Sequence, residues 1–390
     1  MRRPLPEIEG FERIITEFQS RMRGDPSILD WNSGFDLAGA FPHLAVFSPP
    51  ANSVADSLPY LDHTIDIVVT ASSDPGRIAE AERVAVTGFV RIGDTLEVIW
   101  RDNAAGNQLQ TTSIIIPVYN EVAYTRSCLE QLQKTLPHNF RGEIIVVDDS
   151  SSDETPEVLK QLAAADERLK VLRNRENAGF IASCNRGAKE ASGEILVFLN
   201  NDTLPMPGWL PPLLRVFQTE LKTGAVGGKL LYPDGTLQEA GAVIFSDGSG
   251  CNFGKHDKAA SAPLYSFLRE VDYCSAALLA TPRALFLDFG GFDTRFQPAY
   301  YEDADYCFTL RARGYRVYYQ PQSVVVHFEG ASSGTDTSTG VKSYQAVNRG
   351  KFVEKWKDIL PQQPPSPQRY DFATLHDLSF SRSAANGYGK

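Results

Sequence analysis

The sequence lacks the features that define several large classes of protein. Its five cysteines are odd in number and include no C-x-x-C pair, so neither a disulfide framework nor a cysteine zinc site is indicated. No apolar run approaches the roughly 20 residues of a membrane-spanning helix, and Met1-Arg2-Arg3 leads into Pro4 rather than an apolar signal segment. Positively charged residues are also outnumbered, with 38 Lys and Arg against 48 Asp and Glu. We therefore expect a cytoplasmic protein, at most peripheral at the inner face of a membrane, without nucleic acid as a partner.

The sequence does contain enough hydrophobic residues to form two folded domains, since they make up 42% of its 390 residues. A polar stretch at 101–108 separates them, which predicts an accessory α/β domain over 1–108, a main domain over 109–360 and a tail over 361–390. Helices are expected at Phe11–Met22 and Pro75–Val86, and strands at Asp62–Val69 and Phe89–Trp100. This unit loosely resembles a methyltransferase-type domain without the glycine-rich cofactor loop, so packing, acceptor recognition or assembly is its expected role. The proline-rich tail is expected to be extended or mobile.

The main domain begins with a regular alternation of strands and helices. Apolar strands are predicted at Ser113–Val118, Glu143–Val147, Leu169–Leu172 and Glu194–Leu199, joined by three amphipathic helices. This alternation predicts an α/β fold with a mostly parallel sheet covered by helices. Beyond Asp202 we expect proline- and glycine-rich loops up to about residue 264, and then a helix near residues 276–286. Ligands of such sheets bind at the carboxyl ends of the strands.

Polar residues follow three of these strands. Asp148 and Asp149 could cap the next helix or accept the imide N–H of a uracil or thymine base, with Tyr119 as an aromatic wall. Asp202, in Asn200-Asn201-Asp202, could belong to a turn or, with Asn200, help to bind Mg²⁺ or Mn²⁺ on a diphosphate. His327 follows a later apolar strand. It could be an ordinary buried histidine or complete the coordination begun by Asp202.

A fourth acidic group opens a predicted helix at Tyr301-Glu302-Asp303-Ala304-Asp305. Helix capping and the helix dipole explain part of this pattern, but one cap needs only one carboxylate. Asp303 is therefore a candidate general base for a sugar hydroxyl, because a rigid first helical turn would hold it in place.

Taken together, these motifs resemble family 2 glycosyltransferases in order and spacing, and they are closest to the rhamnosyltransferase-like branch of bacterial polysaccharide and cell-envelope synthesis. The resemblance covers about two thirds of the chain. The residues that carry it are Ile116-Pro117-Val118-Tyr119-Asn120, Val147-Asp148-Asp149-Ser150-Ser151-Ser152-Asp153, Asn177-Ala178-Gly179-Phe180 with Asn185 and Gly187, Leu199-Asn200-Asn201-Asp202-Thr203 with Pro207-Gly208-Trp209, Gly290-Gly291-Phe292-Asp293, Tyr301-Glu302-Asp303-Ala304-Asp305 and His327.

The resemblance implies a GT-A fold that transfers a sugar from a nucleotide diphosphate donor, UDP- or dTDP-linked, with inversion, to a glycan or lipid-linked acceptor. It further implies Asp303 as general base, with Glu302 shaping the acceptor side, and Asp202 and His327 as ligands of a divalent metal, Mn or Mg. The donor nucleotide would contact Pro117, Tyr119, Asn120, Asp148, Asp149, Asn177, Gly179 and Asn201. The usual D-x-D metal motif reads Asn200-Asn201-Asp202 here, which implies weaker metal binding.

Two other readings remain open. A nucleotidyltransferase would use a similar sheet, but its first strand should lead into a loop rich in glycine and basic residues instead of Pro117-Val118-Tyr119-Asn120. A non-catalytic sugar-nucleotide-binding or scaffold protein of a polysaccharide assembly complex would keep the fold without the activity. Loss of the base would signal that alternative, and Glu302-Asp303 is intact.

Overall fold

The computed structural model describes five separate strands before residue 101 and the segments 110–137, 140–329 and 341–366. The predicted helix Phe11–Met22, most of Pro75–Val86 and the tail beyond residue 366 lie outside the described residues. None of the helices in the described segments is long and apolar enough to cross a lipid bilayer.

The first sheet is built from the five N-terminal strands. In the order β2-β1-β3-β4-β5, every neighbouring pair is parallel except the last. Val68 and Val69 in its central strand are fully buried. Strands are thus present where Asp62–Val69 and Phe89–Trp100 predicted them. The bounds are β1 Ser27–Trp31, β2 Ala45–Phe47, β3 Ile65–Thr70, β4 Ala85–Ile92 and β5 Leu96–Trp100.

The second sheet and its helices make up the rest of the described chain. Its strands are β6 Thr112–Val118, β7 Gly142–Asp148, β8 Leu169–Arg173, β9 Ile195–Leu199, β10 Thr203–Pro205, β11 Thr223–Leu231, β12 Leu237–Glu239, β15 Arg269–Glu270, β16 Leu278–Pro282 and β17 Arg316–His327, while β13 Ala242–Ile244 and β14 Gly250–Asn252 form a separate hairpin. The helices are α1 Val122–Thr135, α2 Thr155–Ala165, α3 Phe180–Glu190, α4 Leu210–Thr219, α5 Arg283–Asp288, α6 Glu302–Ala312 and α7 Tyr344–Trp356.

Strand order confirms the predicted α/β class with a mostly parallel sheet. Along the sheet the order is β10-β17-β11-β16-β9-β6-β7-β8. The four predicted strands pair in parallel as β9-β6-β7-β8, and β11 pairs in parallel with β17. Strand β16 runs antiparallel between β9 and β11 and joins the two parallel groups into one sheet.

Alternating side chains explain why helices cover both faces of this sheet. In β6, Ile114 and Ile116 belong to one buried hydrophobic cluster, and Ile115 belongs to the other. All three are fully buried. Burying each such side chain stabilises the fold by roughly 1.5–3 kcal/mol, so two opposed cores fix the register that brings the strand ends together.

Two predictions for the second half of the domain are wrong. The region 203–264 was expected to be loops, but it contains α4 and the nine-residue strand β11. Residues 278–282 were expected to be helical and form β16, with a helix only from Arg283. Both errors involve short apolar runs buried on both sides, whose periodicity does not distinguish a strand from a helix.

Candidate active site

A cavity of about 730 Å³ opens where β6, β7 and β9 end, a size typical of small-molecule sites. Its wall also includes the start of α6 and the end of β17. Most of the predicted site residues share this cavity even though they are spread over more than 200 positions of sequence. Those that line it are Pro117, Tyr119, Asp149, Asn177, Gly179, Asn201, Asp202, Glu302, Asp303 and His327.

Two predicted nucleotide contacts, Asp148 at the end of β7 and Asn120 after β6, are not among the residues that line the described cavity. Asp148 is 1% exposed, forms an ion pair with Arg173 and accepts a hydrogen bond from Ser151 N at 2.9 Å. Asn120 accepts a hydrogen bond from Ser152 N at 2.8 Å through its side-chain oxygen. Both residues therefore tie the loop after β7 in place, which is a positioning role.

Asp149 connects the strand ends to the loop before α3. Its carboxylate accepts hydrogen bonds from Ala178 N at 2.9 Å and Gly179 N at 2.7 Å, and from Asn174 Nδ2 at 2.5 Å. The side chain is buried but lines the cavity. Tyr119 is 42% exposed at the same end of the cavity and presents an aromatic ring to solvent.

Gly179 is required by both its conformation and its neighbours. Its φ is +84°, in the left-handed region that side chains other than glycine rarely adopt. A Cβ atom there would lie 3.1 Å from Pro298 Cβ and 3.2 Å from Pro298 O. The absent side chain lets the loop before α3 lie against the loop before α6.

Asp202 and His327 come together because β10 pairs with β17. The paired residues are Thr203 and His327, so the preceding Asp202 lies beside the imidazole. Asp202 Oδ1 is 3.2 Å from His327 Nε2, and both side chains are nearly buried. His327 Nδ1 donates a hydrogen bond to Gln238 Oε1 at 2.8 Å, while Gln238 Nε2 donates to Glu329 at 3.3 Å. Gln238 thereby fixes the imidazole so that Nε2 points toward Asp202.

This arrangement fits one side of a divalent metal site. Two ligands at about 2.1 Å from an ion and at right angles are about 3.0 Å apart, close to the 3.2 Å between Asp202 Oδ1 and His327 Nε2. Asn200 Oδ1 is buried without a hydrogen-bond partner nearby, and Asn200 Nδ2 lies 3.4 Å from His327 Nε2. Among the described residues no group of three His, Cys, Asp or Glu could hold a metal. The remaining ligands would therefore have to be water or phosphate oxygens.

Helix α6 presents Glu302 and Asp303 from another side of the cavity. The helix follows two left-handed residues, Tyr300 with φ 76° and Tyr301 with φ 71°, which turn the chain sharply into the first helical turn. Asp303 accepts hydrogen bonds from Ala304 N at 2.8 Å and Ala276 N at 3.2 Å. Glu302 is buried, and its Oε2 has no hydrogen-bond partner.

Glu239 is a third carboxyl group at this wall, and the sequence analysis did not identify it. It is 1% exposed, lines the cavity and accepts a hydrogen bond from Ser275 N at 2.9 Å. Burial raises the pKa of Glu239 to about 8, with the charge of Asp303 adding to the effect. Burial also raises the pKa of Asp303, and it raises that of Glu302 further because Asp303 lies close. Ionisation of one of these three carboxyl groups therefore makes ionisation of the others less favourable.

Two basic side chains of the cavity wall were also missed by the sequence analysis. Lys255 Nζ and Lys342 Nζ are 3.6 and 3.3 Å from Glu329 Oε1, and all three residues line the cavity. Tyr232 donates a hydrogen bond to Glu329 at 2.8 Å. Burial opposes ionisation of Glu329, but Lys255, Tyr232 and Lys342 outweigh it and lower its pKa to about 2. Glu329 thus holds two ammonium groups in the wall of the same cavity as Asp202 and His327.

Helix α7 holds the loop that leads into α6. Asn348 is fully buried, and its Nδ2 lies 2.6 Å from Phe296 O, 2.8 Å from Ala299 O and 3.0 Å from Tyr300 O. Lys355, about two turns further along the same face of the helix, forms a 2.7 Å ion pair with Asp305. These contacts attach α7 to both ends of the turn that carries Asp303.

Comparison with known sequences assigns part of this site to a family. Residues 113–265, from β6 to just before β15, match the profile described as "Glycosyl transferase family 2". The match covers less than half of the chain and is a similarity of this segment alone. The matched segment contributes Asp149, Gly179, Asp202 and Glu239 to the cavity, whereas Asp303 and His327 lie beyond it.

Curated relatives are similar to the chain over a longer stretch. The O-antigen biosynthesis protein RfbC of Myxococcus xanthus is 34% identical over 233 residues, which are 57% of this chain and 18% of that protein. The uncharacterized protein y4gI of Sinorhizobium fredii (strain NBRC 101917 / NGR234) is 32% identical over 251 residues, 63% of this chain and 27% of that protein. The chain therefore spans less than a third of the length of either relative.

A solved structure supports the fold. GalNAc-T7, crystallised with UDP, GalNAc and Mn2+, superposes with a TM-score of 0.54 at 19% identity over 70% of this chain and 55% of that one. At this identity the similarity concerns the fold alone. It confirms the expected GT-A architecture.

Proposed function

We propose that the chain transfers a sugar from a nucleoside diphosphate, UDP or dTDP, to a hydroxyl group of a glycan or lipid-linked acceptor, with inversion at the anomeric carbon. The observation that carries this proposal is the single cavity that contains both the Asp202–His327 pair and Asp303. A cation site and a separate carboxylate in one cavity are the two groups that a one-step displacement of a diphosphate requires.

The donor would lie along the strand ends. The base and ribose would contact Pro117, Tyr119 and Asp149. Asn177, Gly179 and Asn201, which line the same cavity, would complete the nucleotide site. The diphosphate would then reach Asp202 and His327. Lys255 and Lys342 would add positive charge there, since Glu329 keeps both ammonium groups inside the cavity.

A divalent cation, Mn²⁺ or Mg²⁺, would be held by Asp202 and His327, with Asn200 beside them. When bound, it would supply positive charge that stabilises the departing diphosphate. The chain's own residues would do the rest. Gln238 would orient His327, and Asp303 would take the proton from the acceptor hydroxyl as its oxygen attacks the anomeric carbon. The raised pKa of Asp303 brings this base closer to neutral pH, where general bases work best.

The test is nucleoside diphosphate release from a panel of UDP-, dTDP- and GDP-sugars with Mn²⁺ or Mg²⁺, together with binding of the same nucleotides. Asp303→Asn should lower turnover roughly 100- to 10,000-fold and leave nucleotide affinity nearly unchanged. Asp288→Asn is the control, since Asp288 is an exposed carboxylate at the end of α5, away from the cavity.

Two results would contradict the proposal. If Asp303→Asn turned over the donor at the normal rate, Asp303 would not be the base. If the wild-type protein bound a nucleotide sugar tightly but never turned it over with any glycan acceptor, the non-catalytic alternative would be favoured.

A further inference from the structure

Glu239 is a buried carboxyl group of the cavity to which the proposed reaction assigns no role. Its Oε1 is satisfied by Ser275 N at 2.9 Å, but its Oε2 has no hydrogen-bond partner. A buried polar atom without a partner costs about 1–3 kcal/mol. A bound molecule that supplied the missing hydrogen bond would remove this cost.

The neighbours of Glu239 place it between the Asp202–His327 pair and Asp303, the proposed base. Along β12 the preceding residue is Gln238, whose side chain binds His327. On the other side, the consecutive amides of Ser275 and Ala276 donate to Glu239 and Asp303, so one loop holds both carboxyl groups side by side. Glu239 thus occupies the stretch of wall that joins the two ends of the proposed reaction site.

In an in-line transfer, the group between the metal-bound diphosphate and the base is the sugar itself. A sugar hydroxyl matches the free carboxyl oxygen, because a hydroxyl can either donate a hydrogen bond to it or accept one from it. We propose that Glu239 binds a hydroxyl group of the transferred sugar through Oε2 and so contributes to donor specificity. This inference rests on the proposed function, because it assumes that the cavity holds a nucleotide sugar.

The protonation of Glu239 is consistent with this role. With a pKa of about 8, the carboxyl group carries a proton at neutral pH, so Oε2 can act as a donor as well as an acceptor. A neutral group also adds no negative charge beside the diphosphate.

The experiment compares each nucleotide sugar with its own nucleoside diphosphate. The probes are UDP-glucose, UDP-galactose, dTDP-rhamnose and GDP-mannose, measured by calorimetry with Mn²⁺ against the wild type, Glu239→Ala and Glu239→Gln. For the nucleotide sugar that binds best, Glu239→Ala should lower the affinity about tenfold, while the affinity for the nucleoside diphosphate should stay within about twofold. Glu239→Gln keeps an acceptor for Ser275 N, so it should fold normally and lose less.

Monodeoxy analogues of the same sugar separate a direct contact from a structural role. With the wild type, removal of one particular hydroxyl should cost about tenfold in affinity, and with Glu239→Ala the same removal should cost nothing further. Equal losses for the sugar nucleotide and the nucleoside diphosphate, or a deoxy penalty that persists in Glu239→Ala, would overturn the inference and leave the proposed function standing. If the wild type bound none of the nucleotides, the proposed function itself would fail, and the inference with it.

Discussion

Replacing Asn348 with Ala tests how the proposed base is held. Asn348 is fully buried in α7, and its amide lies within 3.0 Å of three carbonyl oxygens of the loop 296–300. One amide has two N–H groups, so at most two good hydrogen bonds are lost. At about 1–1.5 kcal/mol each, we expect Asn348→Ala to lower the free energy of unfolding by about 3 kcal/mol.

The Asn348→Ala substitution should also change the geometry of the candidate active site. The loop ends in Tyr300 and Tyr301, whose left-handed backbone costs roughly 1–3 kcal/mol per residue and persists only while the surroundings enforce it. Without Asn348 this turn can relax, and Asp303 two residues further on moves with it. We therefore expect turnover of the nucleotide sugar to fall at least tenfold. Nucleotide affinity should fall less, because only Gly179 of the proposed nucleotide contacts is placed against this loop, at Pro298, while Pro117, Tyr119 and Asp149 lie at the strand ends.

The assay combines thermal unfolding with turnover and nucleotide binding. A loss of about 3 kcal/mol corresponds to a shift of roughly 6–12 °C in the unfolding midpoint for a domain of this size. Val347→Ala is the matched control, because Val347 is the preceding residue of α7 and is 55% exposed. An Asn348→Ala protein that unfolds at the wild-type temperature, or that loses nucleotide affinity and turnover in equal proportion, would refute this reasoning.

Three further predictions concern other parts of the cavity. Gly179→Ala should weaken nucleotide binding measured by calorimetry, because the new Cβ would press on Pro298 and strain a φ of +84°; unchanged affinity would contradict this. Asp202→Ala should lower nucleotide affinity about 10- to 100-fold with Mn²⁺ but little in EDTA, and equal losses in both would argue against a metal role. The free energy of unfolding should fall as pH rises from about 5 to 8, because Glu239 ionises in the unfolded chain over this range, whereas burial raises its pKa to about 8 in the folded protein and keeps it protonated; denaturant titration of Glu239→Gln should show a smaller fall.

Strand ends were the part of the site that the sequence predicted best. Asp149 and Asp202 follow long apolar strands, and parallel strands must bring their carboxyl ends to one edge of a sheet. The pairing of β10 with β17 could not be deduced in the same way, because it depends on a register between residues more than 120 positions apart. His327 was nevertheless proposed beside Asp202, and the structure has them 3.2 Å apart.

Side chains that act through distant partners were missed. Gln238 and Glu239 lie on a three-residue strand in a region that the sequence analysis assigned to loops. Their importance arises from contacts to His327 and Ser275, which no local pattern encodes. Asn348 is similar, since an asparagine in a helix usually faces solvent and only tertiary packing shows that it is buried. The available local signals were the single apolar residue Leu237 and the adjacent Gln238-Glu239 pair.

The central claim is that a cation between Asp202 and His327 shares one cavity with Asp303. The most direct test is an anomalous-diffraction map of crystals grown with UDP and Mn²⁺. The account predicts one manganese peak within bonding distance of Asp202 Oδ1 and His327 Nε2, next to the diphosphate, with Asp303 across the space left for the sugar. A UDP molecule bound elsewhere, or a manganese peak that touches neither residue, would contradict it.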